Sequence, residues 1–282
     1  MKILVTGITG SLGSTLTPLL LEEGHEVIGY SRCELRQALF PKHEKLTLYL
    51  GDVADRDRLL EASRGCDLIF HLAAVKRVEV AEEQPEIAIT TNIRGTENVL
   101  FAQRMHGIPR VVLASTDKAV KPETSYGNTK AVAEGLVRRN PKNVVCRYGN
   151  VLNSRGSVAA MFAESIKKDG TIYVTDRRMT RFWIPLPAAA EFVFRSALRE
   201  PGGLCIPPIK AAPVVSLGQA IAKLLSMEPP TIKEIGFRCR EKLHEDLRTE
   251  DEGGALVSSD QQLWFTKREL EETLQDALRG IL

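Results

Sequence analysis

Gly7, Gly10 and Gly13, spaced at three-residue intervals, constrain this chain more than any other stretch. They follow the β-rich run Lys2-Ile3-Leu4-Val5-Thr6 and open a helix with apolar residues at Leu12, Leu16, Leu19 and Leu20. Glycine here permits a tight strand-to-helix turn and lets an anion approach the N–H groups that a helix leaves unpaired at its amino end. A strand, a glycine turn and a helix in this order predict the first βα unit of a parallel sheet, with a dinucleotide pyrophosphate over the turn. Gly7, Thr9, Gly10, Ser11, Leu12 and Gly13 are its expected contacts.

The alternation continues downstream. Strands are expected at 26–30, 46–50, 67–70, 110–114 and 143–148, separated by helical patterns at about 55–63, 84–106 and 126–139. Six strands alternating with helices predict an α/β fold, a Rossmann-like doubly wound parallel sheet with right-handed crossovers. From about residue 153 the pattern turns irregular and richer in proline, as in Ile184-Pro185-Leu186-Pro187 and Ile206-Pro207-Pro208. The chain therefore reads as a dinucleotide-binding core over 1–152 and a small carboxyl-terminal substrate-binding part over 153–282, not an independent domain. Apolar spacing at Leu270, Leu274, Leu278 and Ile281 predicts a packing helix over 267–282.

The second strand ends in Ser31-Arg32, where a hydroxyl and a guanidinium suit a 2′-phosphate, so NADP is favoured over NAD. Asp52, with Val53, ends the third strand and is placed to accept from the adenine amino group. His71 follows an apolar strand and reads as a packed histidine rather than a base. Small residues Ala73 and Ala74, after Leu72, let the cofactor lie close to the backbone; Lys76 is placed to meet a phosphate of cofactor or substrate, and Asn92 sits on the long helix beside Gly95.

A net charge of +2 supplies no global field for nucleic acid or a membrane surface, and no apolar run approaches the roughly 20 residues that span a bilayer. The first strand begins at once, which predicts no signal peptide and a cytoplasmic protein. Five cysteines, odd in number and without a C-x-x-C pair, read as reduced thiols and predict no metal site.

The chemistry concentrates in Ser115-Thr116-Asp117-Lys118-Ala119, at the carboxyl end of the strand 110–114, and in Tyr126 and Lys130 just beyond. Such strand ends face the ligand crevice of open α/β sheets. Tyr126 and Lys130, four apart, share one helix face, where an ammonium beside a phenol lowers the phenol pKa and holds a nicotinamide ribose. A phenol so tuned takes the proton of an alcohol being oxidised, with Thr116 holding the oxygen.

These stretches resemble an extended short-chain dehydrogenase/reductase, and within that superfamily the inverting UDP-N-acetylglucosamine 4,6-dehydratases of the polysaccharide biosynthesis group. The resemblance rests on Gly51-Asp52-Val53, His71-Leu72-Ala73-Ala74-Val75-Lys76, Thr91-Asn92-Ile93-Arg94-Gly95-Thr96, the 115–120 and 126–130 stretches, Arg147-Tyr148-Gly149-Asn150-Val151, Met179-Thr180-Arg181-Phe182-Trp183-Ile184 and Glu241-Lys242-Leu243-His244-Glu245. It implies oxidation at sugar carbon 4, loss of water across carbons 5 and 6, return of hydride to carbon 6, and inversion at carbon 5. By the same resemblance Lys118 is the base at carbon 5 and Asp117 the acid at the 6-hydroxyl. Lys76, Asn150, Arg155, Thr180, Arg181, Arg238 and Glu241 are the expected contacts of a UDP-sugar, arginine suiting its diphosphate. A homo-oligomer pairing through the helices around 84–106 and 125–139 is also implied. The sequence departs from the group at Cys239-Arg240, in place of the usual Pro-Gly, and at Asn128, in place of alanine. A nucleotide-sugar 4-epimerase or 4-keto reductase needs Thr116, Tyr126 and Lys130 but not Lys118, and a non-enzymatic NADP-binding protein needs none of the catalytic pairings. Both readings stay open.

Overall fold

The computed structural model describes residues 1–237, 240–253, 255–261 and 264–278. The first half runs β1 (Lys2–Thr6), α1 (Ser11–Glu22), β2 (Glu26–Ser31), α2 (Glu34–Ala38), β3 (Leu46–Leu50), α3 (Arg56–Ala62), β4 (Leu68–His71), α4 (Val78–Glu83), α5 (Pro85–Ala88), α6 (Gly95–His106), β5 (Arg110–Ala114), α7 (Ser125–Val137) and β6 (Val144–Cys146). There follow β7 (Asn150–Leu152), α8 (Val158–Asp169), β8 (Thr171–Val174), β9 (Thr180–Pro185), α9 (Leu186–Ala197), β10 (Gly203–Cys205), β11 (Ala211–Pro213), α10 (Val214–Leu224), β12 (Thr231–Glu234), β13 (Asp246–Arg248), β14 (Val257–Ser258) and α11 (Lys267–Ala277). The terminal helix expected over 267–282 is thus described to Ala277, and Ile281 lies outside the described residues.

Contacts divide the chain into two compact units: Met1–Arg147 with Ala190–Ile206, and the described residues of Tyr148–Ala189 and Pro207–Leu282. The first unit holds a seven-stranded sheet in the order β10-β6-β5-β4-β1-β2-β3. Every pairing in it is parallel. This is the doubly wound order expected, with the strand order reversing between β1 and β4. Six strands are expected from the sequence; the seventh, β10, is three residues long and lies in the stretch after residue 153 that reads as irregular. It comes from residues 190–206, which return to this unit. Both faces of a parallel sheet are covered, so its strands are nearly all apolar, and Leu4, Ile69, Val111, Leu113 and Val145 are fully buried. In the second unit Phe162, Ile172, Trp183, Leu217, Leu270 and Leu274 form a separate core.

The long helix expected at 84–106 is not uniform. A π-turn at Ile89–Arg94 interrupts it between α5 and α6 and turns Thr91 and Asn92 inward. Asn92 Oδ1 accepts from the Val75 N–H at 2.8 Å, and its Nδ2 donates to Val75 O (3.1 Å) and to Thr129 Oγ1 (2.9 Å). One wide turn thereby ties the loop after β4 to α7.

His71 is buried, as expected of a packed histidine, and its tautomer follows from its neighbours. Thr96 spends its only proton on Asn92 O at 2.6 Å, so His71 Nε2–H donates to Thr96 Oγ1 at 3.1 Å. Nδ1 then accepts from Thr6 Oγ1 at 2.8 Å, while the Thr6 oxygen accepts the N–H groups of Leu72 and Ala73. The imidazole is thus a neutral strut between the end of β1 and α6. Burial, reinforced by the Lys130 charge, pulls its pKa from 6.5 down to about 3. The folded chain therefore binds no proton here where the unfolded chain does, and stability is lost as pH falls from 6.5 toward about 3. The slope from this one group is at most roughly 1.4 kcal/mol per pH unit. Urea unfolding of wild type and His71→Gln, followed from about pH 7 to about pH 5, is expected to show a shallower acid dependence in the variant; parallel slopes would refute the assignment.

Candidate functional site

β5 delivers Ala114, Ser115 and Thr116 at its carboxyl end, and the chain then makes a short 3-10 turn over Asp117–Ala119. The Thr116 hydroxyl starts this turn by accepting from the Lys118 N–H at 3.3 Å and donates to Asp117 Oδ1 at 2.9 Å. α7 begins after Thr124, whose hydroxyl accepts from the Gly127 N–H at 3.1 Å, with Glu82 accepting from the Ser125 N–H. A side chain at position 127 would collide with the Lys118 carbonyl oxygen, so only glycine lets the turn carrying Asp117 and Lys118 close onto the helix carrying Tyr126 and Lys130.

The five expected catalytic residues are therefore assembled in one unit. The Tyr126 hydroxyl stands beside the Thr116 side chain. Lys118 Nζ donates to Asp117 Oδ1 at 3.1 Å, with the lysine side chain 22% exposed and the aspartate fully buried. This is not the surface ion pair that neighbouring Asp and Lys ordinarily make. Asp117 Oδ2 is buried with no hydrogen-bond partner in the protein. A buried carboxylate oxygen left bare is costly unless a bound group completes it. Lys130 Nζ donates to Ala114 O at 2.7 Å.

The electrostatics differ in one respect from the expectation that Lys130 lowers the Tyr126 pKa. Burial pushes the Tyr126 phenol up to about 12, and the opposing positive charge is that of Lys118. Lys130 itself is pulled down to about 8 by burial, against the pull of Glu134. Both shifts have one origin, because a site this dry disfavours the phenolate and the ammonium alike.

The glycine turn fits a dinucleotide. Gly7 adopts φ +72°, and a Cβ there would lie 2.8 Å from Ala73 N. A Cβ on Gly13 would lie 2.6 Å from Gly7 O and Ile8 Cα, so the turn, α1 and the loop after β4 meet backbone to backbone. Gly10 caps α1 with no side-chain bond, which leaves its amino end suited to an anion. Leu72 and Ala73 are half-buried over this turn, Ala74 and Lys76 are exposed, and Val53 is buried. At the end of β2, Ser31 is buried and its hydroxyl accepts from Gln37 at 2.9 Å. Arg32 is exposed, with Nη1 3.4 Å from Asp52 Oδ2, while Asp52 Oδ1 accepts from the Ala54 N–H at 3.0 Å.

The expected substrate contacts other than Lys76 lie in the second unit or outside the described residues. Asn150 opens β7, half-buried, and Arg155 is exposed in the turn that follows. Arg181 is buried, and its guanidinium donates to the carbonyls of Thr180, Leu243 and Lys242. Thr180 Oγ1 bonds His244 Nδ1 at 2.8 Å and Ser259 Oγ at 2.7 Å. Thr180 and Arg181 thus hold the 242–244 segment in place rather than presenting free polar groups. Glu241 accepts from the Thr175 hydroxyl at 2.9 Å. Arg238, like Cys239, lies outside the described residues.

Sequence reasoning missed one group. Glu134 accepts from the Ser115 hydroxyl at 2.5 Å and from Arg147 Nε at 3.1 Å and Nη2 at 2.5 Å, and all three residues are buried. The signal was present: positions 126, 130 and 134 repeat at the helical interval, which puts a carboxylate on the same face as Tyr126 and Lys130.

The sequence pattern of the family described as polysaccharide biosynthesis protein matches residues 3–265. An inverting UDP-N-acetylglucosamine 4,6-dehydratase of Campylobacter jejuni is 40% identical over 267 residues, covering 89% of this chain and 78% of that protein. A UDP-glucose 4-epimerase of Rickettsia rickettsii is 34% identical over 267 residues, with the same 89% and 78% coverage. Among solved structures, Pen from Bacillus thuringiensis superposes with a TM-score of 0.91 at 30% identity, over 100% of this chain and 98% of that one. A match of this extent, joined to the parallel sheet, the glycine turn and the Tyr126–Lys130 pair, settles the family: the chain belongs to the polysaccharide biosynthesis proteins of short-chain dehydrogenase/reductase fold.

Proposed function

We propose that this protein is an NADP-dependent nucleotide-sugar 4,6-dehydratase acting on UDP-N-acetylglucosamine or a close relative, with inversion at carbon 5. The observation that carries this reading is Asp117 with Lys118. An oxidoreductase of this fold needs Thr116, Tyr126 and Lys130; the buried carboxylate with a bare Oδ2 and the partly exposed ammonium against its other oxygen are additional. Relatives of the same family carry the dehydratase name, among them the Campylobacter protein.

The nicotinamide, when bound, supplies the chemistry of accepting a hydride from sugar carbon 4 and returning it to carbon 6. The chain's own residues do the rest. Tyr126, as its phenolate, takes the 4-hydroxyl proton, and Thr116 beside it holds that oxygen. The 4-ketone acidifies the hydrogen on carbon 5, and Lys118, once its proton has passed to Asp117 across their 3.1 Å hydrogen bond, removes that hydrogen as the neutral amine. Asp117, so protonated, delivers its proton to the departing 6-hydroxyl. Lys130 carries the positive charge that holds the ribose. A protein with these parts, incubated with UDP-N-acetylglucosamine in heavy water, yields a product lighter by one water and labelled at carbon 5; unchanged mass across a panel of nucleotide sugars sinks the reading.

A 4-epimerase is the second reading, favoured by the relatives that bear that name at 34% identity. Lys118 separates the two. Lys118→Ala is expected to slow dehydration by at least about a hundredfold, the low end of general acid–base catalysis. Sugar turnover that survives this substitution intact makes the epimerase the better account.

Arg32 and Ser31 support NADP, since a guanidinium at the end of β2 pairs with a ribose 2′-phosphate. Asp52 is its partner in the chain, 3.4 Å away, and a phosphate competes for the same fork. Arg32→Ala is therefore expected to weaken NADP binding by about tenfold or more while leaving NAD binding unchanged, as measured by fluorescence titration. Equal losses for both dinucleotides would argue against a 2′-phosphate site. A homo-oligomer paired through α5, α6 and α7 is part of the same proposal, as is residence in the cytoplasm; no helix among the described residues is long and apolar enough to cross a membrane.

A further inference from the structure

We propose that Glu134 is a positioning residue of the site: held by Arg147 and Ser115, its carboxylate is the counter-charge of the buried Lys130 ammonium and ties α7 to the end of β5. Glu134, Ser115 and Arg147 are not among the five expected catalytic residues, and the inference rests on the reading of Tyr126 and Lys130 as the proton-handling pair of the site.

The geometry is specific. Glu134 lies one turn beyond Lys130 on the same face of α7. Its two oxygens are both engaged, one by Ser115 Oγ and Arg147 Nε, the other by Arg147 Nη2. Ser115 is pinned a second time, its N–H donating to Cys146 O at 2.7 Å. On one side of Ser115 stands Ala114, whose carbonyl receives Lys130 Nζ; on the other stands Thr116, which meets Tyr126 and Asp117. Strand end and helix are thus stitched at Ala114 and at Ser115, directly beneath the reacting groups.

The charges call for the same arrangement. A lysine with no access to water is costly as an ammonium and turns neutral unless an anion stays close. Glu134 is the acidic group that acts on Lys130, opposing the effect of burial. His71, the other titratable group within reach of Lys130, is neutral. Around Tyr126 the charged groups are Lys118, Asp117 and Glu134. Arg147 pairs with Glu134 in this dry place, and a buried charge is tolerated when it is paired and hydrogen-bonded. The chain thereby keeps Lys130 charged at neutral pH without giving it a carboxylate partner of its own, which would draw its Nζ away from Ala114 O.

The test reads Lys130 directly. In protein carrying isotope-labelled lysine and free of cofactor, with the Lys130 signal assigned by its loss in Lys130→Arg, NMR titration gives its midpoint. Glu134→Gln keeps an acceptor for Ser115 but removes the charge, and is expected to lower the midpoint by about one pH unit or more. Ser115→Ala, which removes the tie but not the charge, is expected to leave it in place. Should Glu134→Gln fail to fold, Glu134→Gln with Arg147→Met removes both charges at similar volume and carries the same expectation. A midpoint equal to wild type in the folded charge-removing variant overturns the proposal. In turnover assays the alkaline limb of the pH profile should move to lower pH in the same variant. Because the titration needs neither sugar nor turnover, failure of the dehydratase reading leaves its outcome untouched, and a null titration leaves the dehydratase assay untouched.

Discussion

A positive charge is buried where water cannot reach it, and much of the first unit is arranged so that Lys130 can remain there. Among the described residues its ammonium has one direct acceptor, the carbonyl of Ala114 at the last residue of β5. Its counter-charge stands one turn along the same helix, and that carboxylate in turn is paired with Arg147 just after β6. Two neighbouring strands and one helix are thereby locked in register by a single desolvated cation. The cost of burying these charges is large, and the Glu134–Arg147 ion pair with the bonds to Ser115 and Ala114 offsets it.

A second web fixes the other side of the site. Thr6, His71, Thr96 and Asn92 form a chain of hydrogen bonds from the end of β1, where the glycine turn begins, to the π-turn. Asn92 extends it to Val75 and, through Thr129, to Tyr126 O. The glycine turn and the helix bearing Tyr126 and Lys130 are thus two ends of one buried polar network. Neutral His71 suits this role because its two ring nitrogens, one donor and one acceptor, can bridge two hydroxyls that point the same way along the chain.

What could be read before folding was considered depended on how local the cause was. The glycine turn is local: strand, turn and helix lie within a short stretch, and each glycine is required by a backbone approach visible in the spacing. The Tyr126–Lys130 pair and the Thr116-Asp117-Lys118 turn were legible for the same reason. The role of Arg181 was not, because its carbonyl partners at 242 and 243 come from a distant stretch and convert an apparent ligand-facing arginine into an internal fastening. β10 was missed because it lies in the stretch after residue 153 that reads as irregular, and its place beside β6 depends on the chain returning after residue 190.

The sequence by itself determined the class of fold, the position of the glycine turn and the spacing of Tyr126 and Lys130 on one helix face, because periodicity, glycine spacing and residue chemistry are properties of neighbours along the chain. Only the tertiary structure decided their condition. It buried Asp117 completely while leaving Lys118 partly exposed, pushed the Tyr126 phenol up and the Lys130 ammonium down, and chose Lys118 rather than Lys130 as the charge that opposes the rise at Tyr126. Those outcomes depend on how much water each group loses and on which charges from other strands and helices end beside it, and neither quantity is written in the order of the residues.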